Sequence, residues 1–105
     1  MVFIETSVFT RQLTDLLSED EYKELQTFLA DRPDAGPIIR GTGGLRKVRW
    51  GSESRGKSGS VRVIYYWGVA EDRIFLLLMY RKGEQDDLTP AQRKILRRIV
   101  EEEYP

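Results

Sequence analysis

The sequence predicts an α+β domain of element order β-αα-βββ-α, its helices packed on a small, mainly antiparallel sheet. Three observations predict it. A capping box, Ser18-Glu19-Asp20-Glu21, divides the N-terminal third into two helices. Three strand-like runs then succeed one another, Leu45–Trp50, Val61–Trp67 and Arg73–Tyr80, with no helical pattern between them. A second capping box, Thr89 with Gln92, opens a last helix.

Each element has its own local reason. Val2 to Glu5 is short, apolar and β-prone, which makes it the first strand. From Ser7 to Leu16, Phe9, Leu13 and Leu16 recur at helical spacing. The helix opened by Ser18 buries a stripe of Tyr22, Leu25, Phe28 and Leu29, and runs to about Asp31. Pro33, Gly36 and Pro37 end it. Gly68 to Asp72 is short enough to be the hairpin turn joining the second and third of the later strands. The run Ile74-Phe-Leu-Leu-Leu-Met79 is apolar throughout, so that strand is central and covered on both faces. In the last helix Pro90 suits the first helical position, and Ile95 and Ile99, with the neighbouring Leu96 and Val100, supply the packing face.

A chain of 105 residues, 40% of them hydrophobic, holds one domain spanning residues 1–105 and one modest core. It has no cysteine and no histidine, which excludes disulfides, thiolate metal sites and histidine acid–base chemistry. No run approaches the roughly 18 apolar residues of a membrane span, and the N-terminus lacks a signal-peptide pattern. The expectation is a cytoplasmic protein with no membrane partner.

The net charge of zero conceals a segregation. Residues 1–37 carry 3 basic and 8 acidic side chains, a net of −5. Residues 38–66 carry 7 basic side chains against Glu53 alone, a net of +6. Residues 67–105 carry 7 basic and 8 acidic, a net of −1. Positive charge gathered into one segment is the footprint of a polyanion site, against the plainer alternative of a basic surface patch.

Within that segment, residues 51–58 read GSESRGKS and satisfy the phosphate-loop pattern G-x-x-x-x-G-K-[ST]. Such a loop works by leading into a helix whose amides hold the phosphates. Here strand formers follow from Val61, and three successive strands leave no crossover helices for a nucleotide-binding framework. The stretch is better read as a long basic hairpin loop, with Arg55 and Lys57 as RNA-binding candidates beside Arg46.

Strand alternation sorts the remaining cations. If Val48 and Trp50 enter the core, Lys47 and Arg49 project together from the other face. Arg62 lies inside the next strand, where a charge needs a partner or a groove. Tyr80 and Lys82 close the last strand. Crowded cations disfavour protonation of a lysine, and neighbouring arginines stabilise a pentacoordinate phosphate. That set suits a reaction needing no metal, no histidine and no cofactor. An RNA 2′-hydroxyl attacks the adjacent phosphate, expels the 5′-oxygen and leaves a 2′,3′-cyclic phosphate. The expected catalytic residues are Lys47 as base, Arg49 and Arg62 on the phosphate, Lys82 as acid or second clamp, and Tyr80 to orient or stack on a nucleotide. For each residue alone, a surface charge or a core tyrosine is the ordinary alternative.

The runs GTGGLRKVRW, SVRVIYYW and FLLLMYRKGEQDDLTPAQRK, in this order, resemble the HigB branch of the RelE-like toxins. The resemblance covers nearly the whole chain and is densest over residues 41–94. It implies the RelE-like fold and an mRNA endoribonuclease, the toxin of a type II toxin–antitoxin pair, cutting codons in the ribosomal A site. Its implied partners are the ribosome, mRNA and a cognate antitoxin, in this branch usually a helix-turn-helix, HigA-like protein. The family's paired basic residues match Lys47 and Arg49, its strand arginine matches Arg62, and its basic residue past the last strand matches Lys82. Some members use a tyrosine a few residues further on; here residues 84–88 read EQDDL. A ParE-like toxin of related fold acting on DNA gyrase, and a non-catalytic RNA-binding module, are the alternatives. The ParE branch generally lacks the paired cations.

Overall fold

The computed structural model describes residues 1–51, 60–81, 83–85 and 87–103. Through them run β1 (Val2–Glu5), α1 (Ser7–Leu16), α2 (Glu19–Asp31), β2 (Arg46–Trp50), β3 (Val61–Gly68), β4 (Arg73–Arg81) and α3 (Pro90–Glu103). The expected element order holds throughout.

Each helix start is fixed by a side-chain cap. Thr6 Oγ1 accepts the Phe9 amide at 3.1 Å and starts α1. At α2 the Ser18 hydroxyl accepts the Glu21 amide at 3.1 Å, while the Glu21 carboxylate accepts the Ser18 amide at 2.8 Å. The Thr89 and Gln92 pair repeats this exchange at α3, at 3.1 and 3.0 Å. Both capping boxes read from the sequence are therefore present, each worth about 0.5–2 kcal/mol.

The strands form one sheet in the order β1-β4-β3-β2. β1 lies parallel to β4, and the other pairs are antiparallel. β4 is thus central, as its apolar run predicts. One face carries α1 and α2 over Val61, Val63, Tyr65, Ile74, Leu76 and Met79. The other carries α3, whose Leu96 and Val100 meet Ile64, Leu77 and Tyr80. One expectation is corrected here: Ile95 is 61% exposed, and the packing stripe of α3 is Leu96, Ile99 and Val100. The face of α3 turned to the sheet is centred on Leu96 and Val100, with Ile99 at its margin, and Ile95 falls beyond that margin toward solvent.

The pairing of β3 with β4 slips by one residue at Ile64/Tyr65. Ile64 opposes Leu78, but Tyr65 opposes Leu76, leaving Leu77 as the extra residue of a β-bulge. Leu77 and Leu78 consequently both turn toward α3. The bulge resets the alternation, so Met79 faces α1 and α2, and Tyr80 faces α3.

β2 is an edge strand, and the chain ahead of it covers its first half. Ile39 donates to the Leu45 carbonyl at 2.7 Å, and Lys47 donates to the Pro37 carbonyl at 3.2 Å. Gly36 sits where this cover touches the sheet. A Cβ there would lie 2.7 Å from the Lys47 carbonyl oxygen and 3.0 Å from the Tyr65 ring. Gly36→Ala is expected to push the cover off β2 and to destabilise the fold by about 1–3 kcal/mol, the usual cost of overpacking. A thermal melt checks this; an unchanged midpoint would contradict the close approach.

Candidate active site

The register of the sheet builds the site. Arg49 opposes Arg62 across β2 and β3, and Arg62 opposes Tyr80 across β3 and β4. All three turn to the α3 face, Arg49 and Arg62 by simple alternation and Tyr80 by way of the bulge. Lys47 lies on the same face of β2, one side-chain step back, opposite Ile64. Val48 and Trp50 pack on the α1/α2 core as alternation requires, and the Trp50 Nε1 donates to the Glu21 carbonyl at 2.9 Å. The row therefore stands where the apolar layer under α3 gives way to polar groups.

The partners of these cations differ. Arg49 is exposed and donates from Nε to the Ser60 hydroxyl at 3.2 Å. Arg62 is half-buried, and its buried Nη1 has no hydrogen-bond partner among the described residues. A buried donor left unpaired in this way is an expensive feature inside a strand. Tyr80 is 5% exposed, with its ring packed in the α3-side core rather than offered to a base. Lys47 Nζ lies 3.6 Å from Asp87 Oδ1.

Asp87 was not among the residues the sequence suggested, nor was Arg93. Asp87 stands two positions before the α3 N-cap. Its Oδ1 accepts the Leu88 amide at 2.8 Å, and its Oδ2 accepts from Arg93 Nη2 at 3.0 Å. Burial pushes the Asp87 carboxyl up, but the Leu88 amide and the Lys47 and Arg93 cations outweigh it and hold the group below the ordinary 3.8. Asp87 is an ionised carboxylate near neutrality, not a proton donor. The one signal in the sequence was its place just ahead of a capping box, where a side chain can face the first turn of the helix.

Other expected residues stand elsewhere. Arg46 is on the opposite side of β2 and donates from Nη1 to the Gly36 and Asp34 carbonyls at 2.8 and 3.1 Å. It braces the cover of β2 and is not brought to the row. Arg55, Lys57 and Lys82 lie outside the described residues. β3 begins at Val61, as expected, and residues 52–59, most of the GSESRGKS stretch, lie outside the described residues. Among the described residues no helix is long and apolar enough to cross a membrane.

The sequence matches no protein-family model. The fold does have solved counterparts. The isolated E. coli RelE toxin superposes with a TM-score of 0.58 at 15% identity, covering 93% of this chain and 97% of that one. A chain of the intact E. coli RelBE toxin–antitoxin complex gives 0.59 at 14% identity, covering 76% and 94%. E. coli RelE with two arginines replaced by alanine, in the free state, gives 0.57 at 13% identity, covering 81% and 86%. Three helices on a four-stranded open sheet are thus the fold of the RelE toxin.

Proposed function

We propose that this chain is the toxin of a type II toxin–antitoxin pair, of the HigB branch, and that it cleaves mRNA on the ribosome. The observation that carries the reading is the Arg49–Arg62–Tyr80 row, with Lys47 beside it, on one face of the sheet. Two guanidiniums in register across adjacent strands match the spread of charge on a phosphodiester. The RelE and RelBE counterparts of the fold, and the sequence resemblance, favour the toxin over a general RNA-binding module.

In the proposed reaction the scissile phosphate lies over Arg62 and Arg49. The 2′-hydroxyl of the preceding nucleotide attacks phosphorus, its proton passing to Lys47, and the 5′-oxygen leaves with a proton from Lys82. To act as the base, Lys47 must first leave Asp87 and give up its own ammonium proton to solvent, so that the neutral amine accepts the 2′-hydroxyl proton. Tyr80, with its ring buried, holds Arg62 in place rather than stacking on a base. The proposed partners are the ribosome with its mRNA, and a cognate helix-turn-helix, HigA-like antitoxin.

Induced expression of the chain alone in bacteria tests this. Growth should arrest, with cleaved message mapped at ribosomal A-site codons. Lys47→Ala combined with Arg62→Ala should restore growth at equal protein level. Full toxicity in that double variant would refute the site, and arrest with intact message but poisoned supercoiling would point to gyrase instead.

A further inference from the structure

The Asp87 carboxylate is unexplained by a site built to attract anions, because it places a negative charge against the lysine assigned to the reaction. Three contacts show what holds it there. The Leu88 amide at 2.8 Å and the Arg93 guanidinium at 3.0 Å are hydrogen bonds, and both come from the α3 side. The Asp87 main-chain carbonyl is held as well, accepting from the Gln85 side-chain Nε2 at 2.8 Å; the same Nε2 donates to the capping Gln92 Oε1 at 3.0 Å. The contact to Lys47, at 3.6 Å, is longer than a hydrogen bond. The carboxylate is thus fixed by the start of α3, and its hold on Lys47 is the loose, separable one. The two side chains are 43% and 31% exposed, so a ligand from solvent can reach between them.

We propose that Asp87 is a built-in counter-anion of the site: it occupies Lys47 in the free protein, and an RNA phosphate must displace it from that lysine to bind. This rests on the phosphate-site reading above and adds its regulation. The carboxylate sets how strongly the site holds RNA, because every phosphate contact with Lys47 replaces one already made. It also ties that exchange to the seat of α3, since Arg93 and the Leu88 amide at the start of the helix carry the same carboxylate.

Binding of a fluorescent, all-2′-O-methyl single-stranded RNA tests this without cleavage, because the attacking hydroxyl is blocked. At low salt, Asp87→Asn is expected to bind about two- to five-fold more tightly than wild type, the range of a half-exposed ion pair. The gain should shrink as salt rises. In a Lys47→Ala background the gain from Asp87→Asn should be lost, because the two residues act as a pair. Asparagine retains an acceptor for the Leu88 amide, and a melt of each variant checks that α3 stays seated. Should Asp87→Asn unfold, Asp87→Ser provides a second uncharged acceptor. Unchanged or weaker binding by the folded variant, or an equal gain in both backgrounds, overturns the proposal. If Lys47→Ala alone leaves binding unchanged, the phosphate site falls, and this inference with it. If Lys47→Ala weakens binding but Asp87→Asn does not strengthen it, only the inference falls.

Discussion

Arg62→Ala is expected to slow single-turnover cleavage of ribosome-bound mRNA by about 10²–10³-fold, the usual cost of removing one preorganised donor to a developing oxyanion. It should do so without loss of stability, and this second half of the expectation identifies the arginine as functional. Arg62 sits inside β3, between Arg49 and Tyr80, with a buried Nη1 that has no partner among the described residues. A buried donor without an acceptor opposes folding. Two cations directly opposite on adjacent strands also repel. Removing the guanidinium relieves both, so the melting temperature should hold or rise while activity collapses. Arg62→Lys should recover only part of the rate, because an ammonium keeps the charge and loses the planar fork. Cleavage at the wild-type rate would remove Arg62 from the site. A loss of cleavage together with a lowered melting point would make it a structural residue.

The sequence located the candidate site residues unevenly, and the unevenness has a physical cause. Lys47 and Arg49 could be placed on one face because Val48 and Trp50 declare the other, and a strand alternates with period two. Nothing local faces Tyr80. Counted by strict alternation from Leu76, it would fall on the α1/α2 face; the extra residue at Leu77 turns it to α3. A bulge is a property of the pairing between two strands, not of either strand alone. The alignment of Arg49 with Arg62 depends likewise on a register set by long-range packing. Asp87 was missed for a related reason: its meeting with Lys47 requires α3 to fold back across the sheet. Arg46 shows the converse. It belongs to the basic segment, yet its guanidinium is spent on main-chain carbonyls, which charge counting cannot detect.

Tyr65→Phe should lower stability by about 1–3 kcal/mol, the cost of leaving buried partners unpaired, and so move the melting point by several degrees. The Tyr65 ring is fully buried in the α1/α2 core, and phenylalanine would keep that packing. What it removes is the hydroxyl, which donates to the Pro33 carbonyl at 2.8 Å and accepts the Gly36 amide at 2.9 Å. Burial raises the pKa of the Tyr65 hydroxyl, which keeps its proton on for the first of these bonds. One hydroxyl thus pins both ends of the turn that leads from α2 to the cover of β2. Arg46, the cross-strand partner of Tyr65, holds the same turn through the Asp34 and Gly36 carbonyls. That turn delivers Pro37, whose carbonyl accepts the Lys47 amide at 3.2 Å. Loss of the hydroxyl should therefore reach the candidate site through the backbone of Lys47 rather than through any side chain of the row. Hydrogen exchange separates this from general loosening: the Gly36 and Lys47 amides should exchange faster in Tyr65→Phe than the β3–β4 amides do. A uniform rise across the sheet would mean that the hydroxyl supports the core alone and has no part in holding the lysine.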